Sequence, residues 1–303
     1  MTRISTAYLA QQNISRIQKS NVELAKASYQ LTSGYKAERY EEIAGDTNQL
    51  LNLVDLQNNN NTYIKNLQNS AAQLKAMENA LQSLADSLIE AVNLATLGRN
   101  ENEADVRATL APKAEGIAQT FYNTINSKFE GRYLFSGQAS EVQPLSAIPT
   151  GNPAPPAGPA PTAYYNGDTN KLQVVTGPGT NSDFGVTGDE QGFANMLSGL
   201  QALIFGLQND SEVDLDGAID RLNTAQTDIS NMLGQIGGSL SGFQLISDRH
   251  DNVNTFMQDR IDELEKADIT EVTIKFSQEE AALNAALSIT GRILSISLLN
   301  YLR

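Results

Sequence analysis

Oxygen-bearing side chains alternate along residues 212–217, in an order that could begin a calcium-binding loop. Glu212, Asp214 and Asp216 lie at every second position, and a glycine follows them. Such loops begin with Asp and end, at the twelfth position, with a glutamate that supplies two oxygens. Here the first residue is Glu212 and the twelfth is Asn223. The start of a helix, where acidic side chains favour the amino end, explains the same residues, and we predict no metal site.

Other residue types that carry chemistry are scarce or isolated. The chain has no cysteine, which excludes disulfides and a thiol nucleophile, and its one histidine, His250, falls in an apolar heptad row and is predicted to pack there. The glycines within 234–242 follow no strand, so close approach of a neighbouring helix or a flexible joint explains them better than a dinucleotide loop. Adjacent glutamates, at 41–42 and 279–280, point apart on a helix. We predict a protein that is not an enzyme and has no cofactor.

Charge is unevenly distributed along the 303 residues, whose net charge is −14. A negative chain lacks the basic face that phosphate binding requires, which argues against nucleic acid as a partner. No apolar run reaches the roughly 20 residues of a membrane span, and the first residues do not resemble a cleavable signal peptide. Residues 1–37 carry five basic side chains and one acid, whereas 281–303 carry no acid. This distribution favours chain ends that pack against copies of themselves.

Apolar residues recur at helical spacing over most of the chain. They predict a mainly α fold of long antiparallel heptad helices, coiled-coil-like rods built from both chain ends, with a small β-containing insert. A first helix is predicted over 5–33, ending at Gly34, and a longer one over about 47–97, whose natural partner lies in the last hundred residues. Large apolar side chains at intervals of seven are predicted to form the rod core: Leu67, Leu74, Leu81, Leu88, Ile229, Ile236 and Phe243.

The helical pattern is interrupted in the middle of the chain. A Pro-rich stretch covers 149–161, Asn166-Gly167 is a strong hairpin signal, and residues 171–176 have strand character. We therefore predict three domains. Residues 1–45 with 270–303 form a terminal coiled-coil assembly domain, 46–135 with 192–269 form a helical rod, and 136–191 form an outer insert rich in β structure and proline.

Narrow apolar seams mark both ends of the chain. The N-terminal seam consists of Ile14, Ile17, Leu24 and Leu31, and the C-terminal seam of Leu283, Leu287, Leu294 and Leu298. A stripe one or two residues wide does not keep an isolated helix folded in water. Two such helices can pair, yet they leave faces uncovered, so further copies of the chain are predicted to complete the layer. A monomeric helical bundle is the alternative.

Several short runs near the two chain ends are typical of one group of proteins. The amino end carries TRIST at 2–6 and LTSG at 31–34, and the carboxyl end carries SISLLNYLR at 295–303. These runs resemble the ends of bacterial flagellins and flagellar hook-associated proteins, which share a similar tail. The run GRYLFSG at 131–137, followed by YNGD at 165–168, resembles hook-associated proteins of the hook–filament junction more than filament flagellin.

This resemblance implies a structural subunit of the bacterial flagellum that joins hook to filament through its terminal helices. It also implies type III export in an unfolded state, an extracellular location, and a role in motility. The implied partners are copies of the chain, a neighbouring hook-associated protein, flagellin, and an export chaperone that holds the C-terminal helix. Flagellin itself and, more remotely, a soluble helical binding module are the alternatives.

Overall fold

A computed structural model describes residues 6–39, 41, 44–101, 103–148 and 162–301, without the side chains of 6, 7, 9, 10, 44 and 293–301. The helices within these ranges are α1 (Thr6–Ser33), α2 (Ala44–Asn100), α3 (Ala104–Ile125), α4 (Gln191–Gln208), α5 (Glu212–Glu265) and α6 (Ile269–Tyr301). The strands are β1 (Lys128–Phe129), β2 (Arg132–Tyr133), β3 (Leu172–Gly177) and β4 (Thr180–Phe184). The predicted mainly α fold with a small β-containing insert is confirmed. No helix in the described ranges is long and apolar enough to cross a membrane.

The chain divides into two compact units. The larger comprises residues 60–251, and the smaller joins 1–59 to 252–303. We call them the central unit and the terminal unit. The division into three domains that the sequence favours stays a prediction.

Heptad rows of α2 and α5 supply the core of the central unit. The four leucines predicted on α2, from Leu67 to Leu88, are buried, as are Ile229, Ile236 and Phe243 on α5. Phe243 and Leu67 line the same cavity of about 310 Å³, and Arg99 near the end of α2 pairs with Asp216 near the start of α5. The two helices therefore run antiparallel within this unit.

Helix α4 packs closely against α5 through glycines that recur every seven residues, at positions 192, 199 and 206. A Cβ atom on Gly199 would lie 2.8 Å from Cγ of Leu222, and one on Gly206 would lie 2.9 Å from Cγ of Leu215. Neither distance leaves room for a methyl group. The heptad row of α5 thus extends to Leu215 and Leu222, because α4 places glycines opposite these leucines.

The described residues between α3 and α4 contain two hairpins, neither of them at Asn166-Gly167. Strand β1 pairs with β2, and β3 pairs with β4 around a turn at Gly179, whose φ is 66°. The predicted hairpin at Asn166 is wrong, because the backbone N–H of Asn166 donates instead to the carbonyl of Pro144 at 3.0 Å. Leu145 and Tyr165 form an antiparallel bridge beside this bond. The Asn-Gly signal therefore marks a loop that pairs with a distant part of the chain.

The runs GRYLFSG and YNGD bind each other. The hydroxyl of Tyr165 lies 2.9 Å from the carbonyl oxygen of Phe135 and 2.8 Å from that of Asp168. The backbone N–H of Asp168 donates to the carbonyl of Ser136 at 3.0 Å. Gly137 has a φ of 60°, and the backbone of Asp168 leaves no room for a side chain there. This glycine is required both by its conformation and by its neighbour.

In the terminal unit α1 and α6 run antiparallel. Ser20 Oγ donates to Glu279 at 2.9 Å, and Lys275 pairs with Glu23 at 2.8 Å. Gly34, with a φ of 77°, ends α1 as the sequence predicts, and its carbonyl accepts the N–H of Ala267 at 2.9 Å. A separate small cluster, consisting of Leu50, Ile261 and Leu264, joins the beginning of α2 to the end of α5.

Candidate assembly surface

The pair of terminal helices buries few apolar side chains. Among the described side chains of α1 and α6, those of Ala27 and Val272 are the buried ones. The central unit, by contrast, contains a core of more than thirty buried residues. Over the described side chains, the apolar area that α1 and α6 bury is therefore small, and the free energy gained from burying it is small in proportion.

The N-terminal seam lies mainly on the side of α1 that faces α6. Ile17, Leu24 and Leu31 are half-buried and share a helical face with Ser20 and Ala27. Ile14, the first member of this seam, is 45% exposed. The structure therefore brings three of the four residues against α6 and leaves the fourth open to solvent.

The C-terminal seam is covered to a lesser degree. Leu283 is half-buried, whereas Leu287 is 50% exposed. The side chains of Leu294 and Leu298 lie outside the described residues. Their role in assembly, like that of the other seam residues, stays a prediction.

A second apolar stripe on α6 escaped the sequence analysis. Ile274, Ala281, Ala285 and Ile289 are exposed. With about 3.6 residues per turn, the first three lie on the side of α6 opposite Val272 and Leu283, and Ile289 lies at the edge of that side. Their spacings of seven, four and four are those of a second seam and could have revealed it. A helix that is apolar on opposite sides is normally buried on both. In the isolated chain α6 is covered on one side only.

Charge reinforces the contact between α1 and α6. The hydrogen bond and positive charge of Lys275 lower the pKa of Glu23 below its ordinary value, and Glu23 in turn raises the pKa of Lys275. Both groups are in contact with solvent, so the pair orients the helices and adds little to stability.

The residues that the sequence analysis considered as chemical sites are placed at a helix start or in packing contacts. Glu212–Asp216 form the first turns of α5, and in the described ranges no group of three or more His, Cys, Asp or Glu side chains is placed to hold a metal. His250 Nε2 lies 2.7 Å from the carbonyl oxygen of Thr176, and the ring lies 5.6 Å from that of Tyr63. His250 thus fastens the β3–β4 hairpin to α5. Apart from adjacent residues and the local backbone of α5, no described atom lies within 4 Å of the Cβ position of any glycine in 234–242, so close approach of another helix within one molecule does not explain them.

Comparison with known proteins identifies the architecture. No family model matches the chain. Flagellar hook-associated protein 3 of Salmonella typhimurium is 26% identical over 176 residues, which are 57% of this chain and 51% of that protein. The match thus spans about half the length of this curated relative.

Two solved structures match over a larger share of the chain. A putative flagellar hook-associated protein from Vibrio parahaemolyticus has a TM-score of 0.60 and 18% identity, over 72% of this chain and 96% of that one. FlgL of Bacillus cereus has a TM-score of 0.56 and 17% identity, over 71% and 99%. The chain has the fold of the flagellar hook-associated proteins. The resemblance found in its sequence is confirmed, and within this hook-associated fold GRYLFSG and YNGD pair to close the insert.

Proposed function

We propose that this chain is a structural subunit of the bacterial flagellum, which joins hook to filament and polymerises through α1 and α6. The observation that supports it best is the incomplete terminal unit. Helices α1 and α6, from opposite ends of the chain, bury few of their described apolar side chains against each other. The seam residues Ile14 and Leu287, with the second stripe of α6, are exposed. Contacts with further copies would bury these side chains, and burial of apolar surface is the main driving force of association.

The small number of buried apolar side chains between α1 and α6 also suits export of the chain before assembly. Helices with a narrow apolar face order only when partners cover them, so a chain of this kind can cross a channel unfolded and fold on arrival. We propose type III export, an extracellular location in the flagellum, and four partners: copies of itself, a neighbouring hook-associated protein, flagellin, and an export chaperone on the C-terminal helix. We assign no catalysis to it.

The decisive test introduces a charge at the α1–α6 contact. Leu24→Asp places a carboxylate at a half-buried seam position, so it should abolish assembly while residues 60–251 stay folded. The matched control is Leu245→Asp, at an exposed leucine of α5 in the central unit. Assembly is followed by sedimentation and electron microscopy, and folding of the central unit by amide hydrogen exchange. Assembly of the Leu24 variant at wild-type efficiency, or equal loss in both variants, would overturn the proposal.

Two assays separate the alternative functions. Flagellin would grow long filaments from added seeds, whereas a junction subunit forms a short layer that stops. A soluble binding module would remain a monomer at high concentration, with both chain ends resistant to protease. For the junction subunit we expect rapid trimming of both ends of the monomer to a fragment close to residues 60–251.

A further inference from the structure

An exposed basic patch lies on α1. Lys19, Val22 and Lys26 are spaced by three and four residues, so they share one face of the helix, and Val22 is 67% exposed. Glu23 lies between the two lysines but pairs with Lys275 of α6. In the described part of the chain neither lysine forms an ion pair, although the charges of both contribute to the lowered pKa of the nearby Glu23. We call these three residues the cationic patch; they combine an uncovered aliphatic side chain with two positive charges.

An exposed acidic patch with the same spacing lies on α5, within the same terminal unit. Phe256, Asp259 and Glu263 share one helical face, and Phe256 is 69% exposed. Glu263 pairs with Arg260 three residues before it, but both side chains are exposed, so this pair is weak. We call these residues the anionic patch. An open phenylalanine beside two carboxylates is an unusual surface for a monomer, since aromatic rings contribute most when covered.

We infer that the cationic patch of one copy docks on the anionic patch of the next copy. The inference rests on the proposed function, since it specifies how neighbouring subunits meet. The two patches are opposite in charge, have the same helical spacing, and each contain one exposed apolar side chain. A lysine over the ring of Phe256 adds a cation–π contact, and Val22 covers part of the same ring. The partner is a second copy because both patches lie on this chain and are opposite in charge. Aligning them also offsets the repulsion between two copies that each carry a net charge of −14.

The contact is directional. Among the described residues no hydrogen bond or ion pair joins Lys19 or Lys26 to Asp259 or Glu263 of the same chain. Each copy therefore offers one patch of each sign that the other patch of the same chain does not cover, and the patches belong to different helices. A contact between unlike surfaces is head-to-tail, and repeating it produces a ring or a helical row rather than a closed pair. Such a geometry suits a layer of subunits.

Cross-linking tests whether the patches meet. Because the chain has no cysteine, Val22→Cys and Phe256→Cys each introduce a single thiol. The two variants are mixed under assembly conditions and oxidised with copper phenanthroline, and the peptide that links residues 22 and 256 is sought by mass spectrometry. The matched control replaces the second variant with Leu245→Cys, at an exposed position in the central unit. We expect the linked peptide in the first mixture and none in the control; its absence, or equal yields in both, would overturn the inference.

Charge reversal tests whether the charges drive the contact. Lys19→Glu with Lys26→Glu, and separately Asp259→Lys with Glu263→Lys, should each weaken self-association by about ten- to a hundredfold. An equimolar mixture of the two double variants should recover association, since each variant then meets opposite charges on its neighbour. Lys65→Glu with Lys113→Glu, on the central unit, changes the net charge by the same amount as the reversal of Lys19 and Lys26 and should have no such effect. Failure of the mixture to recover would refute the pairing.

The wild-type protein distinguishes this inference from the proposed function. If the wild type associates and the charge-reversal variants associate equally well, the pairing of the patches alone is contradicted. A wild type that stays monomeric at every concentration and salt condition contradicts polymerisation itself. If the proposed function and the patch pairing are both correct, added salt should weaken association of the wild type, because the charges are exposed.

Discussion

Replacing Arg107 should destabilise the central unit more than replacing any surface arginine. Its side chain is 4% exposed, and its Nε donates to the carbonyl of Gly98 at 2.8 Å. The guanidinium also donates to the carbonyl of Glu101 and pairs with Asp210. One side chain thus ties the connection between α2 and α3 to the turn between α4 and α5.

The magnitude follows from what each partner loses. Asp210 is 54% exposed, so after Arg107→Ala its carboxylate stays hydrated and no charge is left buried. The carbonyls of Gly98 and Glu101 lose charge-assisted donors, at about 1.5 kcal/mol each. The cavity left by the alkyl chain adds roughly 1 kcal/mol, so we expect a total loss of about 4 kcal/mol. Arg107→Lys keeps the charge but not the forked donors and should lose about 2 kcal/mol.

Urea unfolding followed by circular dichroism at 222 nm measures the loss, with amide exchange to assign it to residues 60–251. Arg99→Ala is the control, because Arg99 meets Asp216 at 3.3 Å on the surface of the same end of the unit and should matter by less than about 1 kcal/mol. An alanine variant within 1 kcal/mol of wild type, or a lysine variant equal to wild type, would refute the assignment of Arg107 as the tie between the two connections.

Three further predictions concern other contacts. Gly199→Ala should cost about 1–3 kcal/mol because its methyl group would meet Leu222, whereas Gly217→Ala, with no atom within 4 Å, should stabilise α5 by up to about 1 kcal/mol; urea titrations of the two variants should move in opposite directions. Tyr165→Phe removes the hydroxyl that reaches Phe135 and Asp168 and should cost about 1–2 kcal/mol, with faster exchange confined to the insert; unchanged exchange there would contradict the contact. Because Lys275 lowers the pKa of Glu23 below its ordinary 4.5, the stability that this pair adds is fully present above that value and is lost as the pH falls through the lowered pKa. Proteolysis of α1 should therefore quicken slightly on acidification in the wild type, and Glu23→Gln should reduce that dependence.

Heptad spacing predicted the long helices because large side chains at intervals of seven leave few alternatives to helix pairing. The leucines from Leu67 to Leu88 show this for α2. The glycines of α4 were not predicted as a packing surface, since the absence of a side chain produces no hydrophobic signal. At Asn166 a local turn preference yielded to pairing with Pro144, which lies twenty-two residues earlier and is invisible to local rules.

The contact between α1 and α6 was predictable in part. The N-terminal seam was located from its spacing, and three of its members face α6. The outer stripe of α6 was missed because two of its four members are alanines, which a search for large apolar residues passes over. The cationic and anionic patches were missed for another reason: charged residues on a long helix are common, and only their exposure beside Val22 and Phe256 distinguishes them.

The bridge between Leu145 and Tyr165 has a consequence for engineering. It holds together the two chain segments that lead into residue 149 and out of residue 161, so an insertion between them starts from ends that are already fixed. For flexible connections in general, each doubling of length adds only roughly 0.6 kcal/mol to the cost of closure. An epitope, a fluorophore-binding peptide or a small folded domain can therefore be grafted between Ile148 and Thr162 while the fold beneath keeps its shape.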